Sequence, residues 1–372
     1  MRISIITESF LPQVNGVAVS VAQAAEQLVA RGHQVQVVAP APGPTRHGPV
    51  SVIRAPSLGL PRYPAVRVAV SSRSLSTALR DFQPHLVHLA SPAVLGAAGS
   101  RAARRLGIPV VAVFQTDLAR FATRYGAGFA EEWMWSWLRF VHSAAALTLA
   151  PSTPVMFELA TRGFQRLALW GRGVDLNRFH PGRLSPELRR RLKPRGELLV
   201  GYVGRLAPEK EVHHLAHLRG LAGVRLVVVG DGPERGRLQR LLPHATFTGF
   251  LHGDELARWV ASLDVFVHTG RAETFGQSIQ EALACGVPVL APRAGGPIDL
   301  VRHDRNGWLW PRERPEAIRP MVAALAADPS LRRRLAAAAR PSVAGRSWQR
   351  LVEELEAHYL SVLPADRRWR AA

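Results

Sequence analysis

Short runs of aliphatic and β-branched residues recur along the first half of the chain, each followed by a stretch with helical spacing of apolar positions. "ISIIT" (3–7), "QVQVVAP" (34–40), "HLVHLA" (85–90), "VVAVF" (110–114) and "LTLAP" (147–151) are bounded by Pro, Gly or polar residues and predict strands. Nearly continuous apolar runs of this kind suit strands buried on both faces. Between the first two, "GVAVSVAQAAEQLVARG" puts Val17, Val21, Ala24 and Leu28 on one helical face and stops at Gly32. The same alternation resumes with "LLVGYVGRL" (198–206), "RLVVVGDG" (225–232), "ATFTGF" (245–250), "DVFVHTG" (264–270) and "VPVLAP" (287–292). Alternating strands and helices predict an α/β fold of parallel sheets covered on both sides. Two doubly wound domains facing a central cleft are expected, with the strand C-terminal ends lining that cleft.

A Pro- and Arg-rich stretch, "FHPGRLSPELRRRLKPRGE", interrupts the pattern and predicts the connection between domains. The expected division is a first domain over 1–178, a linker over 179–197, a second domain over 198–345 and a closing helix within 346–372 that can cross back to the first domain. A length of 372 residues fits two cores better than one. The hydrophobic fraction of 47% describes a folded globular chain. No apolar run is long enough for a transmembrane helix, and "MRISIITESF" reads as a first strand rather than a signal peptide. The single cysteine, Cys285, excludes an internal disulfide framework and fits a reducing cytoplasm.

The formal net charge is +20, spread over both halves without a dense basic run. That distribution argues against nucleic acid as a partner and is compatible with anionic substrates or an anionic membrane surface; a bare compositional bias toward arginine accounts for it equally well. Of 48 basic residues only Lys193 and Lys210 are lysines, which suggests that each ammonium has a specific task.

The chemistry concentrates in "RAETFGQSIQEALACGVPVLAPRAGGP" (271–297). Thr274 and Gln277 have capping-box spacing, so a helix is expected to start at Thr274, with Glu273 at its mouth. The amides of Phe275, Gly276, Gln277 and Ser278 would then form an anion site strengthened by the helix dipole. Glu281 falls two turns further in, about 10 Å along the axis. A sugar nucleotide has a matching layout, with hydroxyls on both sides of a diphosphate; two solvated glutamates on a surface helix are the plain alternative. In "VGRLAPEKEV", Arg205 and Lys210 are placed to clamp a diphosphate and offset the charge that grows on it as a glycosidic bond breaks. In "TESFLPQVNGVAVSV", Asn15-Gly16 opens a helix, and Gly16 permits close approach of backbone to an anion. "GDGPERG" (230–236) misses the dinucleotide fingerprint, since residue 235 is arginine, and reads as a turn. His213, His214 and His217 have helical ligand spacing but read as a solvated face, and the chain contains no D-x-D, so no metal site is expected. Trp133, Trp137 and Phe140 lie at helical spacing beside Arg139; this stripe is expected in the core, with an interfacial helix as the alternative.

Taken together, "ESFLPQVNGV", "GRLAPEK", "VVVGDGPER" and E-x₇-E preceded by "DVFVHTG" and followed by "ALACGVPVLAP" resemble retaining glycosyltransferase family 4. More narrowly, "QTDLARFATRYG", "LAPSTPVMFELATRGF" and "WGRGVDLNRFHP" are similar to actinobacterial GDP-mannose-dependent α-mannosyltransferases that act on lipid acceptors. The resemblance implies the GT-B fold, two Rossmann-like domains, the first holding the acceptor and the second the nucleotide sugar. It implies catalytic roles for Glu273, Arg205 and Lys210, with Glu273 on the donor sugar's hydroxyls and the two cations on the diphosphate. It implies donor contacts at Gly16, Phe275, Gly276, Gln277 and Ser278, with Glu281 on the ribose. Asn15, Gln115 and Asp117 fall at the sugar and acceptor cleft. Many members of the family carry histidine where this chain has Gln115, which hydrogen-bonds but cannot serve as a base. The narrower group has "HETFC" where this chain reads "AETFG". The implied reaction needs no metal or cofactor and keeps the sugar's configuration, the leaving phosphate taking the acceptor's proton. Partners would be a sugar nucleotide, a lipid or glycolipid acceptor and an anionic membrane, reached from the cytoplasm. A UDP-sugar donor, or a non-catalytic sugar-nucleotide binder, stands as the alternative.

Overall fold

The computed structural model describes residues 1–13, 15–60, 63–69, 73–90, 92–115 and 131–364. The chain forms two compact units, Met1–Gly173 with Trp348–Ala372, and Val174–Ser347.

In the first unit the strands are β1 (Arg2–Ile6), β2 (Gln34–Pro40), β3 (Arg46–His47), β4 (Val50–Ala55), a separate antiparallel pair β5 (Ser57–Leu60) and β6 (Tyr63–Ala69), then β7 (Leu86–Leu89), β8 (Val110–Val113), β9 (Leu147–Ala150) and β10 (Leu167–Leu169). The main sheet runs β10-β9-β8-β7-β1-β2-β4-β3, parallel except for β3. Alternate side chains divide between two cores. Ile3, Ile5, Val35 and Val37 meet Val21, Ala25 and Leu28 of helix Gly16–Ala30. On the other face Ile6, Val38, Val87 and Leu89 meet Leu75, Leu79, Leu95 and Ala103. Helix Trp348–Val362 belongs to this unit: Leu351, Leu355 and Tyr359 enter the first core, and Trp170 Nε1 donates to the Leu351 carbonyl at 2.7 Å.

The second unit contains β11 (Leu198–Val203), β12 (Val224–Val229), β13 (Thr246–Gly249), β14 (Val265–Val267), β15 (Val289–Pro292) and β16 (Gly307–Trp310), in the order β13-β12-β11-β14-β15-β16, all parallel. Phe266, Val289 and Ile279 lie in one core and Val200, Tyr202 and Leu290 in the other.

Two expectations need correction. The stretch 179–197 is not a free connection, and the chain passes between units at Gly173–Val174. Helix Pro186–Leu192 is capped by Ser185, and Asp264 accepts from Arg189 Nη2 at 2.7 Å, Lys193 Nζ at 3.0 Å and the Leu199 amide at 2.9 Å. Tertiary ion pairing therefore folds a segment whose Pro and Arg content suggested a linker. The aromatic stripe of helix Glu131–Ser143 is likewise not core. Trp135, Leu138 and Val141 point inward, whereas Trp133 is 64% and Phe140 59% exposed, because positions 133, 137 and 140 lie on the opposite face of the helix.

Candidate active site

In an open doubly wound sheet, ligands collect beyond the strand C-termini where strand order reverses. In the second unit that point lies between β11 and β14. The loop after β11 carries Arg205 and Lys210, and the loop after β14 carries His268 to Gly276. The two loops are tied together: Thr269 Oγ1 donates to the Lys210 carbonyl at 2.7 Å. Glu211, in the left-handed region at φ 49°, accepts from Arg271 Nε at 2.9 Å and Nη2 at 2.8 Å. This fork-to-fork pair fixes the turn directly behind Lys210.

Lys210 Nζ donates to Glu273 Oε2 at 2.6 Å. Two candidate site residues, distant in sequence, are thus brought into contact. Arg205 pairs with Glu209 and stays largely exposed. Both lysines of the chain therefore have a carboxylate partner, Lys193 for the fold and Lys210 at the site.

The helix at the site runs Gln277–Ala284, three residues later than expected. Gly276 is its N-cap at φ 102°, a conformation costly for any other residue. The cause is tertiary. The Gly296 amide donates to the Glu273 carbonyl at 2.8 Å, so residues 273–275 are held as a turn. The contact is tight: a Cβ on Gly295 would lie 2.2 Å from the Glu273 oxygen, and one on Gly296 2.2 Å from the Phe275 oxygen. The first-turn residues Gln277, Ser278 and Ile279 precede the first intrahelical bond, from the Gln280 amide to the Gly276 carbonyl, and Phe275 is buried beneath them. Glu281 remains partly exposed as a residue, yet its carboxyl group is crowded; burial pushes its pKa up to about 7 against the opposing Gln277 hydrogen bond (3.3 Å) and Arg178.

"GDGPERG" supports the other loop. The Leu206 amide donates to the Asp231 carbonyl at 2.8 Å and the Gly204 amide to Val229 at 3.0 Å. A Cβ on Gly230 would lie 2.0 Å from the Gly204 oxygen, so only glycine lets the two turns nest around Arg205. The three histidines 213, 214 and 217 are half-buried in a 3-10 helix rather than solvated, and no metal-holding cluster occurs among the described residues.

In the first unit, Asn15 is a structural cap: its Oδ1 accepts from the amides of Val17 and Ala18, both at 3.0 Å, and its Nδ2 donates to Ser9 at 2.7 Å. Gly16 faces Arg172, whose Nη1 would lie 2.7 Å from a Cβ there, and Arg172 Nη2 donates to Gln115 Oε1 at 3.1 Å. Since a guanidinium only donates, this bond fixes the orientation of the buried Gln115 amide. Asp117 lies outside the described residues. Glu8 caps helix Val94–Arg105 by accepting from the amides of Ala93 (3.1 Å) and Gly96 (3.0 Å); burial outweighs those bonds and raises its pKa to about 6.

Sequence reasoning missed His268, Glu211–Arg271, Gly295–Gly296, Arg172 and Glu8. The Gly-Gly pair carried a local signal, since adjacent glycines mark close backbone approach. Glu211–Arg271, Arg172 and Glu8 depend on partners at least 57 residues away, as with Gln115 and Arg172, and His268 on the burial that the fold imposes.

Comparison with known proteins bears on this geometry. The family model described as "Glycosyltransferase Family 4" matches residues 14–178, and that described as "Glycosyl transferases group 1" matches residues 185–341. The GDP-mannose-dependent alpha-mannosyltransferase of Mycobacterium tuberculosis (strain CDC 1551 / Oshkosh) is 49% identical over 97% of each chain. The GDP-mannose-dependent alpha-(1-6)-phosphatidylinositol dimannoside mannosyltransferase of M. tuberculosis (strain ATCC 25177 / H37Ra) is 30% identical over 94% of this chain and 93% of its own. Among solved structures, Anabaena Alr3699/HepE in complex with UDP and glucose superposes with a TM-score of 0.76 at 21% identity, covering 96% of this chain and 99% of that one. At that identity the likeness establishes the fold alone.

Proposed function

Because the chain belongs to glycosyltransferase family 4, we propose that it moves mannose from GDP-mannose to a lipid or glycolipid acceptor, forming an α linkage with retention at the sugar. What carries this reading is the Lys210–Glu273 pair at 2.6 Å, set at the β11/β14 reversal beside the amino end of helix Gln277–Ala284. A sugar diphosphate laid there has its anionic part within reach of Lys210, Arg205 and the first-turn amides, and its sugar hydroxyls at Glu273. Glu281, about one turn into that helix, is assigned to the ribose. In the first unit, Gly16 and Gln115 are assigned to substrate contact, and Asn15 to holding the helix start between them and β1.

In the proposed step the bond from the sugar's C1 to the β-phosphate oxygen breaks and the acceptor oxygen bonds C1 on the same face. The acceptor's proton passes to the leaving phosphate oxygen, and GDP departs. Lys210 and Arg205 offset the charge growing on that oxygen, placed charges of this kind being worth about 3 kcal/mol each in a transition state. The relatives' names favour a mannosyl donor, and the phosphatidylinositol dimannoside in one of them favours a lipid-linked acceptor. The helix Glu131–Ser143 offers the membrane contact. Trp133 stacks on Trp137 at 6.2 Å and Trp137 on Phe140 at 5.9 Å, an outward aromatic ridge on a chain of net charge +20.

The test is transfer from labelled GDP-mannose into a membrane extract, read by mass spectrometry of the lipid products, with UDP-glucose offered side by side. A mannosylated lipid that disappears in Glu273→Ala, with the fold intact, is the expected result. Exclusive use of the UDP-sugar, or unchanged turnover in Glu273→Ala, would overturn the reading.

A further inference from the structure

The reaction outlined above leaves one neighbour of the Lys210–Glu273 pair without a task. His268 follows β14 directly, is 2% exposed, and holds its Nε2 3.7 Å from Glu273 Oε2, too far for a hydrogen bond. Neither ring nitrogen makes a hydrogen bond of normal geometry with the described residues. A buried imidazole in that condition is costly and calls for a physical reason.

The charges around it supply one. Burial, first, and then the Lys210 ammonium disfavour the imidazolium, while Glu273, the Gly270 backbone and Glu211 favour it; the balance lowers the pKa to about 4. Glu211 is already engaged by Arg271. The ring is thus neutral first because it is buried, and the Lys210 ammonium, 2.6 Å from Glu273, adds to this by offsetting the carboxylate that would otherwise hold the imidazole's proton. Any anion that draws Lys210 aside reverses this: Glu273 loses its cation, the repulsion on the ring falls, and the arriving anion adds attraction.

We propose that His268 is a positioning residue for Glu273: when the donor's diphosphate draws the Lys210 ammonium away, the imidazole takes one proton from solvent and donates Nε2–H to the Glu273 carboxylate. The carboxylate then keeps a buried partner on one side and turns its remaining lone pairs to the sugar's hydroxyls. The inference rests on the proposed role of Lys210 at the diphosphate. It accounts for a buried ring whose nitrogens lack a hydrogen bond of normal geometry beside the Lys210–Glu273 pair.

Calorimetry of GDP-mannose binding at pH 6, in two buffers of different ionisation enthalpy, counts the protons taken up. Wild type is expected to take up more than His268→Asn, the difference approaching about one proton per donor. Protons exchanged by Glu281 occur in both proteins and cancel. His268→Gln serves as a second variant should the asparagine protein fold poorly. Equal counts in wild type and variant overturn the proposal. A second measurement needs no donor. In Lys210→Met the His268 ring resonance, assigned by its loss in Lys210→Met/His268→Asn, is expected to titrate at least tenfold more readily than in wild type. A ring that stays neutral to the same pH as in wild type sinks the proposal. Absence of GDP-mannose binding in every protein counts instead against the proposed function, and the resonance titration then decides the role of His268.

Discussion

Replacing Gly296 with alanine tests whether the site depends on the turn that carries Glu273. Gly296 has an ordinary helical backbone, φ −54° and ψ −34°, so alanine introduces no torsional strain and the effect is contact alone. The added Cβ would lie 2.2 Å from the Phe275 oxygen and 2.4 Å from its Cα, whereas real Cβ atoms stay beyond 3.0 Å. The turn must therefore open by at least about 0.8 Å, and the neighbours are backbone atoms that cannot rotate away. Overpacking of this kind costs about 1–3 kcal/mol of stability. The displacement reaches Glu273 directly, because the Gly296 amide holds its carbonyl. A misplacement of about 1 Å at a reacting centre costs about 100-fold in rate, or about 2.7 kcal/mol. Turnover of GDP-mannose and thermal unfolding should be measured on the same preparation. The expected outcome is a melting point lowered by several degrees with kcat down by about two orders of magnitude. Wild-type kcat/KM in Gly296→Ala would refute the idea that this turn places Glu273.

The remaining predictions concern charge and the exposed aromatic ridge. Glu281→Gln should raise the donor KM and also stabilise the protein above pH 7: a folded-state pKa near 7, raised from 4.5, gives stability that is full below the unfolded value and lost as pH rises through 7, and glutamine has no charge to bury. Melting curves at pH 5 and pH 8 check the sign, with no gain expected at pH 5. Asp264→Ala should cost about 3–5 kcal/mol in denaturant titrations by leaving Arg189 and Lys193 unpaired. Burial opposes ionisation of Asp264, but Leu199, Arg189 and Lys193 together hold its pKa below 3.8, so its contribution is present above that pH and lost on acidification through the lower folded value. Adding EDTA should leave the transfer rate unchanged, since the proposed step meets phosphate charge with Arg205 and Lys210; a rate restored only by magnesium would contradict it. Trp133→Ser with Phe140→Ser should weaken sedimentation with anionic vesicles while leaving binding of GDP-mannose intact.

The ten strands expected from composition all occur, because parallel strands buried on both faces need uninterrupted β-branched runs and such runs are visible locally. Strand β4, with its mixed "VSVIRA", and β16, built from "GWLW", carried no such run and were not foreseen. At the site, Glu273 and Lys210 were legible as charged residues in loops that follow strands, and Glu281 as a carboxylate within the helix that comes next. The start of the helix that holds Glu281 was not, since the backbone contact from Gly296 to Glu273 is invisible to local spacing. The outward turn of Trp133 and Phe140 was equally illegible: hydrophobic spacing defines a helical face but does not say which of two apolar faces meets the sheet.

The return of helix Trp348–Val362 to the first unit has a consequence for how the chain emerges from a ribosome. Val174–Ser347 is one continuous segment and has all its own residues as soon as it is made. The earlier-synthesised unit must wait for Leu351, Leu355 and Tyr359, with a greasy seam along Val21 and Leu28 left uncovered throughout translation of everything between. The half that is made first is therefore the half that matures last, and a stop codon just after Ser347 would leave it unsealed while its neighbour folds undisturbed.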